Sequence, residues 1–164
     1  GLVLQEPFLY HGTIASNIRM YHEELTDEEI RQAAAFVDVA DFIESLPGGY
    51  DHPVTERGST LSTGQRQLLA FARTIAAQPK ILILDEATAN IDQETEEMIQ
   101  NSLKKMRQGR TTIAIAHRLS TIQDADCIYV LDKGEIIESG NHDQLIALGG
   151  TYKKMYDLQA GMMK

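Results

Sequence analysis

Two carboxylates stand side by side at the end of an apolar run, Ile81-Leu82-Ile83-Leu84-Asp85-Glu86. Four large apolar residues in a row predict a strand buried on both faces, the pattern of a central parallel strand. Ligands of open α/β sheets sit at the carboxyl ends of strands, so Asp85 and Glu86 stand where chemistry is expected. Two further apolar runs end in polar groups of a complementary kind. Gly1-Leu2-Val3-Leu4 is followed by Gln5, with Pro7 stopping a central strand, and Thr111-Thr112-Ile113-Ala114-Ile115-Ala116 is followed by His117. If these strands are parallel, an amide, two acids and an imidazole converge. A carboxylate beside an amide suits Mg²⁺, a hard ion that takes oxygen ligands and keeps several waters. A second carboxylate one residue on can orient and deprotonate a water. A histidine can hydrogen-bond a phosphoryl oxygen. Together these groups are equipped for phosphoryl transfer to water, where positioning and charge stabilisation supply nearly all the catalysis.

A site for an anion is also written into the chain. In Leu61-Ser62-Thr63-Gly64-Gln65, Ser62 and Gln65 have the spacing of a capping box. The first turn of the helix it opens has free N–H groups that favour negative charge. Gly64 is expected to let another molecule approach the backbone closely.

The elements that must position these groups follow from periodicity and caps. Thr13 is placed to cap a short helix over residues 14–20. Thr26 and Glu29 form a capping box, with Leu25 and Ile30 at staple positions, and Ile30, Ala33, Ala34 and Val37 recur at helical spacing. Asp38 is expected to start a second helix, stopped at Leu46-Pro47-Gly48-Gly49. Residues 10–60 thus predict helix and loop without a good strand, a helical insertion or small subdomain. The helix begun at Ser62 runs through Leu68, Leu69, Phe71, Ala72, Ile75 and Ala76 toward Pro79. Asp92 caps another helix, with Met98, Ile99, Leu103 and Met106 on its buried face and Gly109 just past its end. Residues 127–139 predict a β-hairpin turning at Gly134. Asn141 and Gln144 box a further helix, and residues 151–159 form a last one.

Composition sets outer limits. The chain has 164 residues, a net charge of −9, and a single cysteine. That acidity argues against nucleic-acid binding, which needs basic stripes to neutralise phosphates. No window holds 18 consecutive apolar residues, so no stretch is expected to span a membrane. Cys127, inside Asp126-Cys127-Ile128-Tyr129-Val130, is expected to be a buried structural thiol.

With these residues in view, the chain resembles the ATP-binding-cassette (ABC) ATPases. Leu61-Ser62-Thr63-Gly64-Gln65 resembles their signature motif, and Ile81 to Glu86 their Walker B strand and catalytic glutamate. Ala89-Asn90-Ile91-Asp92 resembles the D-loop, His117 the switch histidine and Gln5 the Q-loop glutamine. Thr55-Glu56-Arg57-Gly58 resembles the loop that precedes the signature in ABC exporters. Order and spacing together cover nearly the whole chain, and the nearest likeness is to nucleotide-binding domains of bacterial multidrug or lipid exporters.

The resemblance implies an α/β fold: a RecA-like P-loop NTPase core with a mostly parallel sheet and a C-terminal hairpin, interrupted by an inserted helical subdomain. Residues 6–78 would carry the Q-loop, helical subdomain and signature helix, and residues 79–164 the Walker B, D-loop and switch-histidine part. It implies ATP and Mg²⁺ as cofactors. Glu86 would be the general base and His117 would contact the γ-phosphate. Asp85 would hold Mg²⁺ through water, and Gln5 would sense Mg²⁺ and the attacking water. Leu61, Ser62, Thr63, Gly64 and Gln65 would meet ATP held by the opposite subunit, and Asp92 would bridge the subunits. The implied partners are a second nucleotide-binding domain, arranged head to tail, and a transmembrane domain, at the cytoplasmic face of a membrane. The implied function is ATP hydrolysis powering export; the alternatives are a soluble ABC ATPase of the DNA-repair or chromosome type, or a non-catalytic module of the same fold.

Two departures from the family pattern stand out. Thr63 replaces the usual Gly, and a β-branched residue narrows backbone freedom there, so that γ-phosphate contact across the dimer is expected to be either weakened or merely tolerated. No G-x-x-x-x-G-K-[ST] occurs in the chain. The Walker A loop is therefore expected upstream of Gly1, in a larger protein, and the isolated chain is expected to bind ATP weakly and hydrolyse none.

Overall fold

The computed structural model describes residues 1–85 and 91–161. The backbone divides into two units, Gly1–Ile115 and Ala116–Lys164.

The first unit opens with β1 (Leu2–Val3) and β2 (Gly12–Thr13), which runs into helix α1 (Ile14–Arg19). Thr13 caps α1 as expected, and Ser16 closes the box: its N–H donates to Thr13 Oγ1 at 3.0 Å, and its Oγ accepts from the Thr13 N–H at 2.9 Å. Helix α2 (Asp27–Phe36) begins at the Thr26–Glu29 box that its spacing predicts. Helix α3 (Ala40–Ser45) follows, and then β3 (Pro53–Val54), which pairs antiparallel with β2. That small ladder is a strand pair where residues 10–60 promise none. Helix α4 (Thr63–Ala76), β4 (Ile81–Asp85), α5 (Gln93–Arg107) and β5 (Thr111–Ile115) complete the unit.

The start of α3 corrects one reading. Asp38 does not cap it. Its φ is +59°, and its carboxylate takes the Lys105 ammonium from α5 at 2.6 Å. The helix starts two residues later, after Val39, without a side-chain cap. A partner far along the chain has claimed the side chain that local spacing assigns to the cap.

The sheet is three-stranded and parallel, ordered β1-β4-β5. Burial along β4 alternates: Leu82 and Leu84 are buried, whereas Ile81 is 54% and Ile83 40% exposed. Along β5, Ile113 and Ile115 are exposed as well. The expected two-sided burial is therefore not found: only one face of this sheet is packed within the described residues. On that face Val3, Leu82 and Leu84 join Leu68, Phe71, Ala72 and Ile75 of α4 and Ile99 and Met106 of α5. Helices α1 and α2 pack on α4 as well, so α4 is the shared support of sheet and helical insertion. Fully buried Ile14, Ile18, Ile30 and Leu69 each contribute about 1.5–3 kcal/mol in this setting. Met98, expected on the buried face of α5, is 36% exposed; Ser102 is buried with Ile99 and Met106.

The second unit contains β6 (Ile128–Asp132), β7 (Glu135–Gly140), α6 (His142–Leu148) and α7 (Thr151–Gln159). The hairpin forms as predicted. Lys133 and Gly134 both take positive φ, +50° and +85°, the handedness that matches the twist of the flanking strands. Ile128 and Val130 face inward with Leu119, Leu145 and Tyr152. Cys127 has the opposite parity, with Tyr129 and Leu131, and is exposed. The expectation of a buried thiol fails because an apolar run in a hairpin shows only alternate residues to the core.

Candidate functional site

Parallel register places the first two groups. Leu2 stands opposite Ile83 and Val3 opposite Leu84, so β1 and β4 leave the sheet on the same edge. Gln5 follows β1 there and is exposed; Asp85 ends β4 and is half-buried. On its other side Asp85 is paired with Ile115, the last residue of β5. Glu86 and residues 87–90 lie outside the described residues, and with them Ala89 and Asn90 of the expected D-loop; Ile91 and Asp92 are described.

His117 belongs to the second unit. Its backbone is held by one side chain: Gln159 Nε2 donates to the His117 carbonyl at 2.8 Å, and Gln159 Oε1 accepts from the Leu119 N–H at 2.9 Å. Gln159 closes both ends of the segment that follows β5, and nothing in its local sequence signals that role.

The start of α4 is built as the capping-box spacing predicts. The Gln65 N–H donates to Ser62 Oγ at 3.1 Å, and Gln65 Oε1 accepts from the Ser62 N–H at 2.9 Å. The hydroxyl of Ser62 thus accepts inside the helix and keeps its own O–H for an outside acceptor. Thr63 is exposed, and its Oγ1 accepts from Arg66 Nη2 at 3.2 Å. Arg66 Nη1 also reaches the Arg57 carbonyl at 3.4 Å, tying the signature-like turn to the loop at residues 55–58. Leu61 is buried at the core edge.

Gly64 has an internal neighbour. A Cβ there would overlap the Thr95 γ-methyl and lie 3.7 Å from Ile91 Cγ2. Packing against α5 is thus a reason for glycine here beside the expected approach of another molecule to its backbone. Thr95 meanwhile donates its N–H to Asp92 Oδ1 at 2.9 Å. This backbone donor is the main reason that the Asp92 carboxyl is held below the usual carboxylate range. Thr95 therefore joins the two candidate residues Gly64 and Asp92, a link the sequence reading misses because it depends on how α4 meets α5.

What the described geometry brings together is Gln5 with Asp85 on one sheet edge, and the turn at residues 62–65 with Asp92 through Thr95. The first set offers oxygen donors to a cation. The second offers a hydroxyl and first-turn N–H groups to an anion.

Comparison with known proteins adds the family context. The family model described as ABC transporter matches residues 1–89. A Streptococcus pneumoniae protein named putative ABC transporter ATP-binding protein exp8 is 77% identical over 163 residues, covering 99% of this chain and 28% of that protein. The probable multidrug resistance ABC transporter ATP-binding/permease protein YheH of Bacillus subtilis is 57% identical over 161 residues, 98% of this chain and 24% of its own length. Among solved structures, that of a bacterial Atm1-family ABC exporter with ATP bound superposes with a TM-score of 0.87 at 44% identity, covering 98% of this chain and 28% of that one. The chain thus spans 28% or less of the length of these matches.

Proposed function

This chain belongs to the ABC transporter family, and from that premise we propose that it forms part of an ATPase that powers export across a membrane. The observation that carries the reading is the parallel register of β1 and β4, which sends Gln5 and Asp85 out along one edge. The printed names of the relatives are those of transporters, which favours export over the DNA-repair or chromosome alternative.

The donor set fits Mg²⁺ with a nucleotide. Asp85 and Gln5 supply hard oxygen donors, and Mg²⁺ at such sites takes one or two carboxylates and completes its shell with water and phosphate. When bound, Mg-ATP supplies the phosphoryl group and a cation that offsets its charge. The chain's own residues then orient and move protons. Glu86 accepts the proton of the attacking water. His117 donates a hydrogen bond to a γ-phosphate oxygen. Ser62 and Gly64 contact the γ-phosphate of ATP held by a second nucleotide-binding domain, with Leu61, Thr63 and Gln65 shaping that turn. Asp92 bridges the two domains. One relative is named an ATP-binding/permease protein and the similar solved structure is of an exporter, which supports a transmembrane domain as the further partner and the cytoplasmic face of the membrane as the location.

The test is steady-state ATP turnover by the full-length transporter reconstituted in lipid. Glu86→Gln is expected to lower turnover roughly 10²-fold or more, the scale of a lost general base, while ATP still closes the dimer. Near-normal turnover would remove Glu86 from this role.

A further inference from the structure

Arg73 lies on α4, eleven residues beyond Ser62, and its guanidinium turns back into the protein. Nε donates to the Asn17 carbonyl at 2.7 Å, Nη1 to the Phe8 carbonyl at 2.9 Å, and Nη2 to Asn17 Oδ1 at 3.2 Å. The Tyr10 ring lies beneath it, 5.8 Å from centroid to Cζ. Asn17 is 2% exposed and completes the grip. Its Nδ2 donates to the carbonyls of Tyr10 and Thr13, both at 2.9 Å, and its Oδ1 accepts from the Tyr10 N–H at 2.8 Å. The acceptors around the cation are neutral amide oxygens. Burial pulls the Arg73 pKa below the usual arginine value, with Tyr10 and Tyr21 opposing it. A desolvated cation is thus spent on holding backbone, and only a planar fork can reach two chain segments at once.

The segment so held is the continuation of the Gln5 turn. Residues 4–7 lie between two fixed ends: β1, locked in register to β4, and Phe8, gripped by Arg73. A span of four residues reaches at most about 14 Å, so Gln5 is confined unless one end gives. The same helix starts at Ser62, and eleven residues of α-helix make a strut of roughly 16 Å.

We propose that Arg73, with Asn17, is a positioning residue that fixes the Gln5 span to α4, so that the turn at residues 62–65 and Gln5 move as one body. The inference rests on the proposed function, in which Gln5 senses nucleotide in one site and residues 62–65 read the γ-phosphate in the other. Helix α4 then reports the state of one ATP site to the other within a single subunit.

Two measurements on the full-length transporter test this. Hydrogen exchange is read for residues 6–18 and for β4 in Arg73→Lys, which keeps the charge and loses the fork. Exchange in residues 6–18 is expected to quicken at least tenfold while β4 is unchanged. Tyr10→Leu, which removes only the exposed ring beneath the guanidinium, should give a smaller change in the same direction and covers the case in which Arg73→Lys fails to fold. The second measurement is kcat for ATP in Arg73→Lys, Gln5→Ala and the double variant. Arg73→Lys is expected to lower kcat about tenfold with KM within about threefold, and to add nothing once Gln5 is Ala. Additive losses, or unchanged exchange in residues 6–18, would overturn the proposal. Quickened exchange with wild-type kcat in Gln5→Ala would instead bring down the nucleotide-sensing reading and the coupling built on it, with the tether itself upheld.

Discussion

The γ-methyl of Thr95 fills the space that a Cβ at Gly64 would need. The glycine of the signature-like turn is therefore a packing requirement of this chain, independent of any nucleotide. Two opposing effects follow for Gly64→Ala. Alanine in a helix is favoured over glycine by up to about 1 kcal/mol. Overpacking a tight contact costs about 1–3 kcal/mol, and here the obstructing atom is on a β-branched side chain with little freedom to turn. The clash should win, with net destabilisation of up to about 2 kcal/mol by the same estimates. Thr95→Ser removes the methyl and keeps the hydroxyl, so the double variant should recover most of the loss. Urea unfolding of the three variants decides it; a Gly64→Ala chain as stable as its parent would mean that α4 and α5 are not in contact there.

One-sided burial of β4 predicts unequal costs at neighbouring positions. Leu82 is fully buried and Ile83 is 40% exposed. Leu82→Ala should cost about 2–5 kcal/mol, the range for truncation in a packed core. Ile83→Ala, in this 164-residue chain, should cost well under half as much. Equal losses in chemical denaturation would show that the second sheet face is covered after all.

The contrast between what could and could not be read from sequence follows the range of the interactions. The boxes at Thr26–Glu29, Ser62–Gln65 and Asn141–Gln144 were legible because both partners lie within one turn. The hairpin at Lys133-Gly134 was legible because turn chemistry is local. The parallel strands that bring Gln5 and Asp85 to one edge were legible as apolar runs with polar ends. Asp38 was misread because Lys105, 67 residues away, takes its carboxylate. The two-sided burial of β4 was misread because an apolar run does not reveal which faces its neighbours cover. Thr95, Gln159 and Arg73 went unseen for one reason: each acts on a segment that only tertiary packing brings near. Glu86, the residue with the clearest chemical signal in the sequence, falls outside the described residues.

Ser102 makes a buried contact of this long-range kind. It is fully buried on α5, and its hydroxyl donates to the Val37 carbonyl at the end of α2 at 2.9 Å. Val37 is itself fully buried. Ser102→Ala should cost about 1–3 kcal/mol, the penalty for stranding a buried acceptor. Ser102→Cys, which retains a weak donor, should cost less. If Ala is tolerated without loss in urea unfolding, water must reach the Val37 carbonyl.

Three carboxylates predict the shape of the acid limb of stability. Glu29 accepts from the Thr26 N–H at 2.8 Å, Asp92 from the Thr95 N–H at 2.9 Å, and Glu138 from the Tyr152 N–H at 3.0 Å and from the Thr151 N–H. These backbone donors are the leading reason that each carboxyl is held below its usual range. A depressed folded pKa means that the unfolded chain binds the proton more readily. Stability therefore rises with pH across the window between the two pKa values. The contribution is fully present above the unfolded values, about 3.9 for Asp and 4.3 for Glu, and disappears as pH falls through the folded ones. Tm should thus be nearly level from about pH 7 to 5 and fall below about pH 4. Asn is as good a cap as Asp, so Asp92→Asn should keep its helix at neutral pH while its share of the acid slope vanishes. Glu138→Gln should likewise flatten the limb, since its remaining oxygen can still accept a hydrogen bond from the start of α7. Circular dichroism melts of the double variant between pH 3 and pH 7 should show a shallower fall, with the remainder carried by other carboxylates. A limb as steep as in the parent chain would mean that these donors do not set the proton affinity of their acceptors.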